Sequence, residues 1–469
     1  MRLARMHNVP AIGNLRILAT TLVIYMALAQ LAFVLSDPVS VGASFWPAAG
    51  LTMAALLLLP TRQWVWVIGG IVIGECSGNL LRGYPLSASL FWTLGNCVEP
   101  LLGAWLIRRS GNLLGSLTPL GNLLRFMIYG VVVAPLVGAS IGSLGTILIM
   151  GSPAWQVWPK YVVGDALGVL VMAPVLLSWF DAKPMPRRPL ESALLMASVV
   201  ALCVLAFRNW GHSIDIILTN LLLPLMLWAA LRFGVQGTAW VILVIANVAN
   251  IATGLGYGPF TVVEYASGHG ITVLQILLAI SSATALVVAA LTNDLIQGLH
   301  KESRLLHQAH HDTLTGLHNR TGLHYRLEQM QHRRGTDSGA LNVLMCDLDE
   351  FKDVNDRYGH LTGDRVLEEV ARRIKNCIRD ADIAARLGGD EFIVVISNSN
   401  RETVGSIAAR ILEAMEQPVG EISITMSIGI ANAAMDDDFQ ESFAAADRAL
   451  YKAKHIGRNR SVWADSLTT

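Results

Sequence analysis

Apolar stretches of roughly 20 residues, the length that crosses a bilayer as a helix, recur from residue 15 to residue 292 and then stop. They lie near 15–35, 42–59, 64–80, 88–107, 126–150, 160–180, 190–207, 214–231, 237–254 and 271–292. Gly and polar residues interrupt several of them, so the pattern predicts eight to ten membrane helices within residues 1–295. Beyond residue 300 the chain turns polar and shorter periods take over. Strands are predicted over 341–346, 383–384, 392–396 and 422–430, with helices over 351–358, 365–378, 402–416 and 439–455. The order β-α-α-β-β-α-β-α predicts an α+β domain: an antiparallel-containing sheet with helices packed largely on one face. Between the two parts, Leu295, Leu299, Leu306 and Ala309 continue the last apolar stretch at near-heptad spacing. Residues 296–311 therefore read either as a stalk that pairs with a second copy or as a plain amphipathic linker, being too short for an independent coiled coil.

Charge separates the same two parts. Residues 1–300 hold 14 Lys/Arg and 9 Asp/Glu, and residues 301–469 hold the remaining 21 and 26. Neither part carries a basic stripe, which excludes nucleic acid as a partner. With ten spans and the N-terminus inside, the inside segments carry Arg2, Arg5, Arg16, Arg62, Arg108, Arg109, Arg125, Lys183, Arg187, Arg188 and Arg232. The outside segments carry only Arg82, Lys160 and Arg208. That bias predicts a multi-pass protein of a bacterial inner membrane, in contact with lipid, with its N-terminus and its polar domain in the cytoplasm. Trp46, Trp64, Trp66, Trp92, Trp155, Trp158, Trp179 and Trp210 fall near predicted span ends, as interfacial anchors do. Arg2 and Arg5 are followed by no small-residue cleavage site, so the first apolar stretch reads as a retained span. The 5 cysteines are scattered without C-x-x-C spacing, against a disulfide framework or a zinc site.

Ionisable groups inside a membrane mark a cavity or a partner. Glu75, Asn79, Asn96, Glu99 and Asp165 lie within predicted spans, with Asp215 near a boundary. Glu99 and Asp165 are the candidate sensory residues, forming either a ligand- or proton-sensing pocket or contacts that hold the bundle together. Trp46-Pro47-Ala48-Ala49-Gly50 and Gly164-Asp165-Ala166-Leu167-Gly168, the latter followed by Pro174, resemble stretches of the bacterial membrane-associated sensor (MASE-type) domains. The resemblance covers about residues 10–295 and implies a sensory input to a signalling enzyme.

The polar part concentrates its chemistry at strand ends. Gly388 and Gly389 permit a tight turn and close approach of a bulky anion. Asp390 and Glu391 follow at the hairpin tip, and Asp347 ends the strand before it. Acids on neighbouring strand ends suit a divalent cation that serves phosphoryl transfer. Lys454 and Arg458 supply cations for terminal phosphates, while Asn355 and Asp364, flanking a helix break, suit a purine edge. Singly these are helix caps and solvated charges; together they make a nucleotide site.

Residues 306–465 resemble the GGDEF family of diguanylate cyclases in successive motifs. These are Asp312–Arg320, Asp347-Leu348-Asp349-x-Phe351-Lys352-x-x-Asn355-Asp356, Gly359-His360-x-x-Gly363-Asp364, Gly388-Gly389-Asp390-Glu391-Phe392, Thr425 to Ile430 and Lys454-x-x-Gly457-Arg458-Asn459. The resemblance implies a palm-like fold similar to nucleotidyl cyclases, and condensation of two GTP into cyclic di-GMP and pyrophosphate by a homodimer. It implies Mg2+ (or Mn2+) on Asp347, the Leu348 carbonyl and Asp390, with Glu391 supporting and Asp390 helping to activate the 3′-hydroxyl. Asn355 and Asp364 would read guanine beside His360, and Phe351, Lys352, Lys454 and Arg458 would hold the triphosphate. Arg379 and Asp382, spaced R-x-x-D, would bind cyclic di-GMP as an inhibitor; from the residues alone they are a helix-end Arg and a nearby acid. A receptor that binds GTP or cyclic di-GMP without turnover is the alternative.

Overall fold

The structure, a computed structural model, describes residues 13–34, 45–111, 116–179, 188–261, 263, 269–333, 341–433 and 439–467. The predicted inside charges Arg2, Arg5, Lys183 and Arg187 lie outside these residues. The chain divides into two compact units, Met1–Gly298 and Leu299–Thr469.

The first unit is helical: α1 (Asn14–Val34), α2 (Pro47–Leu58), α3 (Trp64–Leu81), α4 (Leu86–Ser110), α5 (Leu120–Arg125), α6 (Ala134–Met150), α7 (Ala154–Trp179), α8 (Pro189–Ala206), α9 (His212–Asn220) and α10 (Leu222–Gly254). Its last helix, α11 (Gly270–His310), runs on past the unit's boundary. A π-helical stretch, Phe126–Val133, links α5 to α6. Among the described residues, eight helical runs are long and apolar enough to cross a membrane. The span expected near 42–59 is shorter, because Pro47 opens α2 and Pro60 stands just after it. The helix has 12 residues, about 18 Å. The spans expected at 214–231 and 237–254 fall in one run, Ser213–Gly254. Gly234 bends that run with φ 63 and ψ −162, a conformation confined to glycine.

The outer surface of this unit is apolar, with Leu15, Val23, Leu148 and Leu190 exposed. Inside, the two sensor-like motifs meet where α2 crosses α7. A Cβ on Gly50 would stand 2.7 Å from Met172 Cβ and 3.0 Å from Ala173 N, and one on Gly168 would run into the Trp46 carbonyl. Small residues here let two helix backbones touch, as in membrane bundles. Trp155, Trp179 and Trp210 are exposed near helix ends as expected, but Trp46 and Trp92 are buried rather than interfacial.

The second unit contains α12 (Arg320–Arg333), β1 (Leu341–Leu348), α13 (Phe351–Tyr358), α14 (His360–Cys377), β2 (Ile383–Gly388), β3 (Glu391–Ser397), α15 (Arg401–Met415), β4 (Met426–Ala433), α16 (Phe439–His455) and β5 (Ser461–Trp463). The sheet order is β2-β3-β1-β4-β5. All pairs are antiparallel except β4 with β5. Every residue of the central β1 is buried. Leu344 and Cys346 pack with Phe392 and Val394 against Val370 of α14 and Ile407 of α15. Val343 and Met345 pack with Ile393 and Val395 against Leu327 of α12 and Leu450 of α16. Helices thus cover both faces, which corrects the expectation of one covered face. The reason is in β1 and β3 themselves: apolar at both parities, they leave neither face to water. The last predicted strand also shifts, since β4 begins at Met426 and Ile422 bridges only Val419.

Candidate active site

Sheet register places the acids. Asp347, near the end of β1, lies opposite Glu391 on one side and Ser427 on the other. Leu348 N donates to the Asp390 carbonyl at 3.4 Å. The hairpin tip turns through Gly389 with φ 55, a left-handed conformation that glycine adopts without strain. Arg386 braces that tip: its Nε and Nη2 donate to the Gly389 carbonyl at 3.0 and 2.8 Å, and its Nη1 to Asp312 Oδ1 at 3.0 Å. Burial alone would raise the Asp312 carboxyl, but hydrogen bonds from Thr315 and Arg386 together hold it below the usual carboxylate range.

Asp347 behaves in the opposite way. Burial raises its pKa, a hydrogen bond from Lys454 opposes the rise, and the charges of Asp390 and Glu391 add to it. Lys454 Nζ donates to Asp347 Oδ1 at 2.7 Å. Asp347 thus pairs with Lys454 while the charges of Asp390 and Glu391 act on it as well, an excess of negative charge at this strand end. Its donors are hard oxygens, the set that suits Mg2+ or Mn2+. Among the described residues, no three His, Cys, Asp or Glu stand together to hold a metal ion. A cation here would complete its shell with phosphate and water oxygens, as Mg2+ usually does.

Asp349 organises the same strand end and carries no role in the sequence reading. It is 7% exposed and accepts from Thr425 Oγ1 at 2.7 Å, Ser427 Oγ at 2.7 Å and Asn459 N at 3.1 Å. The last bond pins the turn after α16, where Arg458 and Asn459 hold φ 56 and 45, sparsely populated values for residues with a side chain. That turn follows Lys454 and carries Arg458, whose Nη1 lies 3.5 Å from Glu350 Oε1.

The remaining site residues sit on α13 and α14, which meet at Gly359. Asn355 Oδ1 closes against Gly363, leaving no room there for a Cβ. That packing sets Asn355 beside the turn bearing Asp364, while Lys352 and His360 are exposed. The Phe351 side chain is buried in the core, so only its backbone can face a ligand. Arg379 is exposed. Asp382 accepts from Arg379 N at 3.1 Å and Ser397 N at 3.3 Å. In the first unit, Glu99 on α4 meets Asp165 on α7 carboxyl to carboxyl.

Comparison with known proteins agrees with this division. The family profile described as "Diguanylate cyclase, GGDEF domain" matches residues 309–460, and MASE1 matches residues 14–294. MucR of Pseudomonas aeruginosa, a bifunctional diguanylate cyclase/cyclic di-GMP phosphodiesterase, is 31% identical over 402 residues, 79% of this chain and 55% of that protein. Diguanylate cyclase A of Treponema denticola is 44% identical over 132 residues, 27% of this chain and 36% of that protein. The chain thus spans about half or less of the length of these two. Probable diguanylate cyclase DgcF of Escherichia coli O157:H7 is 30% identical over 359 residues, 70% of each chain. Among solved structures, the coiled coil and GGDEF domain of DgcB from Caulobacter crescentus, in complex with c-di-GMP, is 26% identical. That match covers 40% of this chain and 98% of that one, with TM-score 0.34. With MASE1 over more than half its length and a GGDEF domain behind it, this chain belongs to the family of MASE1-bearing GGDEF proteins.

Proposed function

We propose that the protein is a membrane-bound diguanylate cyclase, joining two GTP into cyclic di-GMP through a homodimer and gated by a signal at its MASE1 region. The observation that carries this reading is the charge deficit around Asp347, Asp390 and Glu391, with Lys454 as the counter-charge. Asp347, the Leu348 carbonyl and Asp390 would hold Mg2+ or Mn2+, with Glu391 beside them. When bound, the cation neutralises phosphate charge at the reacting phosphorus. Asn355 and Asp364 read guanine next to His360, and Lys352, Lys454, Arg458 and the Phe351 backbone hold the triphosphate. The 3′-oxygen of one GTP forms a bond to the α-phosphorus of the other, the α–β phosphoanhydride bond breaks, and pyrophosphate leaves. Asp390 takes the 3′-hydroxyl proton, and the step repeats in the reverse sense to close the ring.

The dimer is supported by Leu295, Leu299 and Leu306, which are 60%, 64% and 55% exposed on the single helix α11. Apolar side chains spaced this way are satisfied by a second copy. Product inhibition is supported by the exposed Arg379, whose backbone N donates to Asp382. The positive-inside bias supports a cytoplasmic GGDEF domain and N-terminus in a bacterial inner membrane. The test is product formation from GTP and Mg2+ by full-length protein in membranes, wild type against Asp390→Ala. Wild type should make cyclic di-GMP and the variant none. Binding of GTP without product from wild type would instead favour the receptor reading.

A further inference from the structure

The first unit encloses a cavity that the cyclase reading does not use. Its walls come from α1, α3, α4, α6, α7 and the residue ahead of α2. About 50 Å3 of it is open to the centres of water-sized molecules. Five aromatic side chains line it, Phe33, Trp46, Tyr84, Trp92 and Tyr161, together with the acids Glu75 and Asp165. Trp92 Nε1 donates to Thr146 Oγ1 at 3.0 Å, and the Tyr161 hydroxyl lies 3.1 Å from the same atom. With their polar ends engaged there, Trp92 and Tyr161 present ring carbons to the cavity. Tyr84 sets its ring edge-to-face on Trp92 at 5.2 Å.

Two acids, Glu75 and Asp165, border this space. Glu75 accepts from the Tyr25 hydroxyl at 2.8 Å and from Asn79 Nδ2 at 3.0 Å. Arg82 acts on Glu75 from outside the lining, donating to the Gly78 carbonyl at 3.1 Å and lying over the Phe33 ring. Asp165 meets Glu99, which is 1% exposed and whose Oε1 has no hydrogen-bond partner. No Lys, Arg or His is among the lining residues.

Buried carboxyl groups walled by aromatic rings, with no basic side chain in the lining, match one ligand chemistry. Ring faces attract ammonium groups and accommodate their alkyl substituents, whereas inorganic cations need several oxygen ligands. We propose that this cavity binds a small organic ammonium ion, its charge set against Asp165 and its alkyl groups against Trp46, Tyr84, Trp92 and Tyr161. The binding claim stands by itself; that occupancy gates cyclic di-GMP synthesis rests on the cyclase reading.

The test is a titration of full-length protein in lipid nanodiscs, following thermal unfolding of the membrane unit. Tetramethylammonium chloride is the probe, with tert-butanol as its uncharged counterpart and NaCl as the ionic control. Saturable stabilisation by tetramethylammonium alone is expected. Asp165→Asn should weaken it at least ~10-fold, the loss of a charged partner. Tyr84→Leu, at the partly exposed rim and least disruptive to folding, should weaken it about 5-fold through the lost ring. Glu191→Gln, outside the cavity, should bind as wild type. Equal stabilisation by tert-butanol, no saturable response to tetramethylammonium, or wild-type affinity in both cavity variants would overturn the proposal. Saturable binding by a protein that never makes cyclic di-GMP would sink the cyclase reading and leave this one standing.

Discussion

Replacing Asp349 with alanine should damage the GGDEF domain twice, in stability and in substrate affinity. The carboxylate is 7% exposed and accepts three hydrogen bonds at 2.7, 2.7 and 3.1 Å. Bonds to an ionised group contribute about 1.5–3 kcal/mol each. The sum overshoots, because the Thr425 and Ser427 hydroxyls can rotate to other acceptors and Asn459 N can reach water. About 3 kcal/mol remains after that discount, or roughly 6–12 °C in Tm for a domain of this size. The second effect is local. The bond to Asn459 N holds a turn whose Arg458 and Asn459 sit at φ 56 and 45. Without it the turn relaxes, Arg458 and Lys454 lose their placement, and the GTP half-saturation should rise roughly 10-fold, worth about 1.4 kcal/mol. Calorimetry of full-length protein in nanodiscs reads the first effect, and a GTP titration of product formation reads the second. Asp349→Asn, which keeps one acceptor oxygen, should fall between the two. An Asp349→Ala domain that unfolds within ~0.5 kcal/mol of wild type, or one destabilised with unchanged GTP half-saturation, would refute the reasoning.

Arg386→Ala removes three donations that hold the hairpin tip and should cut product formation at least ~10-fold by loosening Asp390; unchanged turnover would show that the tip holds itself. Arg379→Ala should keep turnover and lose inhibition when cyclic di-GMP is added, so a wild-type inhibition curve in this variant would remove the site. The Lys454–Asp347 pair is 37% and 10% exposed, so Lys454→Met should cost the empty domain under ~1 kcal/mol while raising GTP half-saturation about 10-fold. The same variant tests the acid. With its pKa raised above the ordinary 3.8, Asp347 stabilises the fold below that value and loses the contribution as pH rises through its folded pKa. Mg2+ competes with that proton, so Mg2+-dependent thermal stabilisation should weaken as pH falls, with an onset at higher pH in Lys454→Met. An onset that does not move would contradict the shared electrostatics of the pair.

Asp347, Asp390 and Glu391 were legible in the sequence because strand register and a glycine turn determine where they stand, and both are local patterns. Asp349 and Arg386 were not, since their partners lie 78, 110 and 74 positions away. A signal for Asp349 existed nonetheless. Thr425 and Ser427 alternate on β4 and its approach, two hydroxyls on one face with no apolar reason to be buried. The two-faced sheet was also written in the parity of β1, where Val343, Leu344, Met345 and Cys346 leave no polar side. In the membrane unit, hydropathy located the helices but not their ends. Pro47 and Pro60 cut α2 short, and Gly234 joins two expected spans into a bent one. Trp46 and Trp92 looked interfacial from their position near span ends. Their burial depends on which helices pack together, which periodicity does not encode.

The two units apply one electrostatic rule at different depths. At the strand ends, Asp390 and Glu391 add their charge to an Asp347 already paired with Lys454, which suits a divalent cation arriving with a triphosphate. In the bundle, two acids among aromatic rings, with no basic residue in the lining, suit a monovalent organic cation. A ligand that binds only the folded state stabilises it by RT ln(1 + [L]/Kd). Mg2+ with GTP should therefore move the unfolding of the GGDEF domain, and an ammonium ion that of the bundle. Stabilisation alone does not make a sensor. An ammonium ion can change the rate of cyclic di-GMP formation only if it binds differently to the bundle of an active dimer and of an inactive one. That difference is measurable as coupling: if occupancy favours the active state by a given factor, GTP bound to that state must tighten ammonium binding by the same factor. Gating without this reciprocity would place the control elsewhere than in the equilibrium between two dimer states.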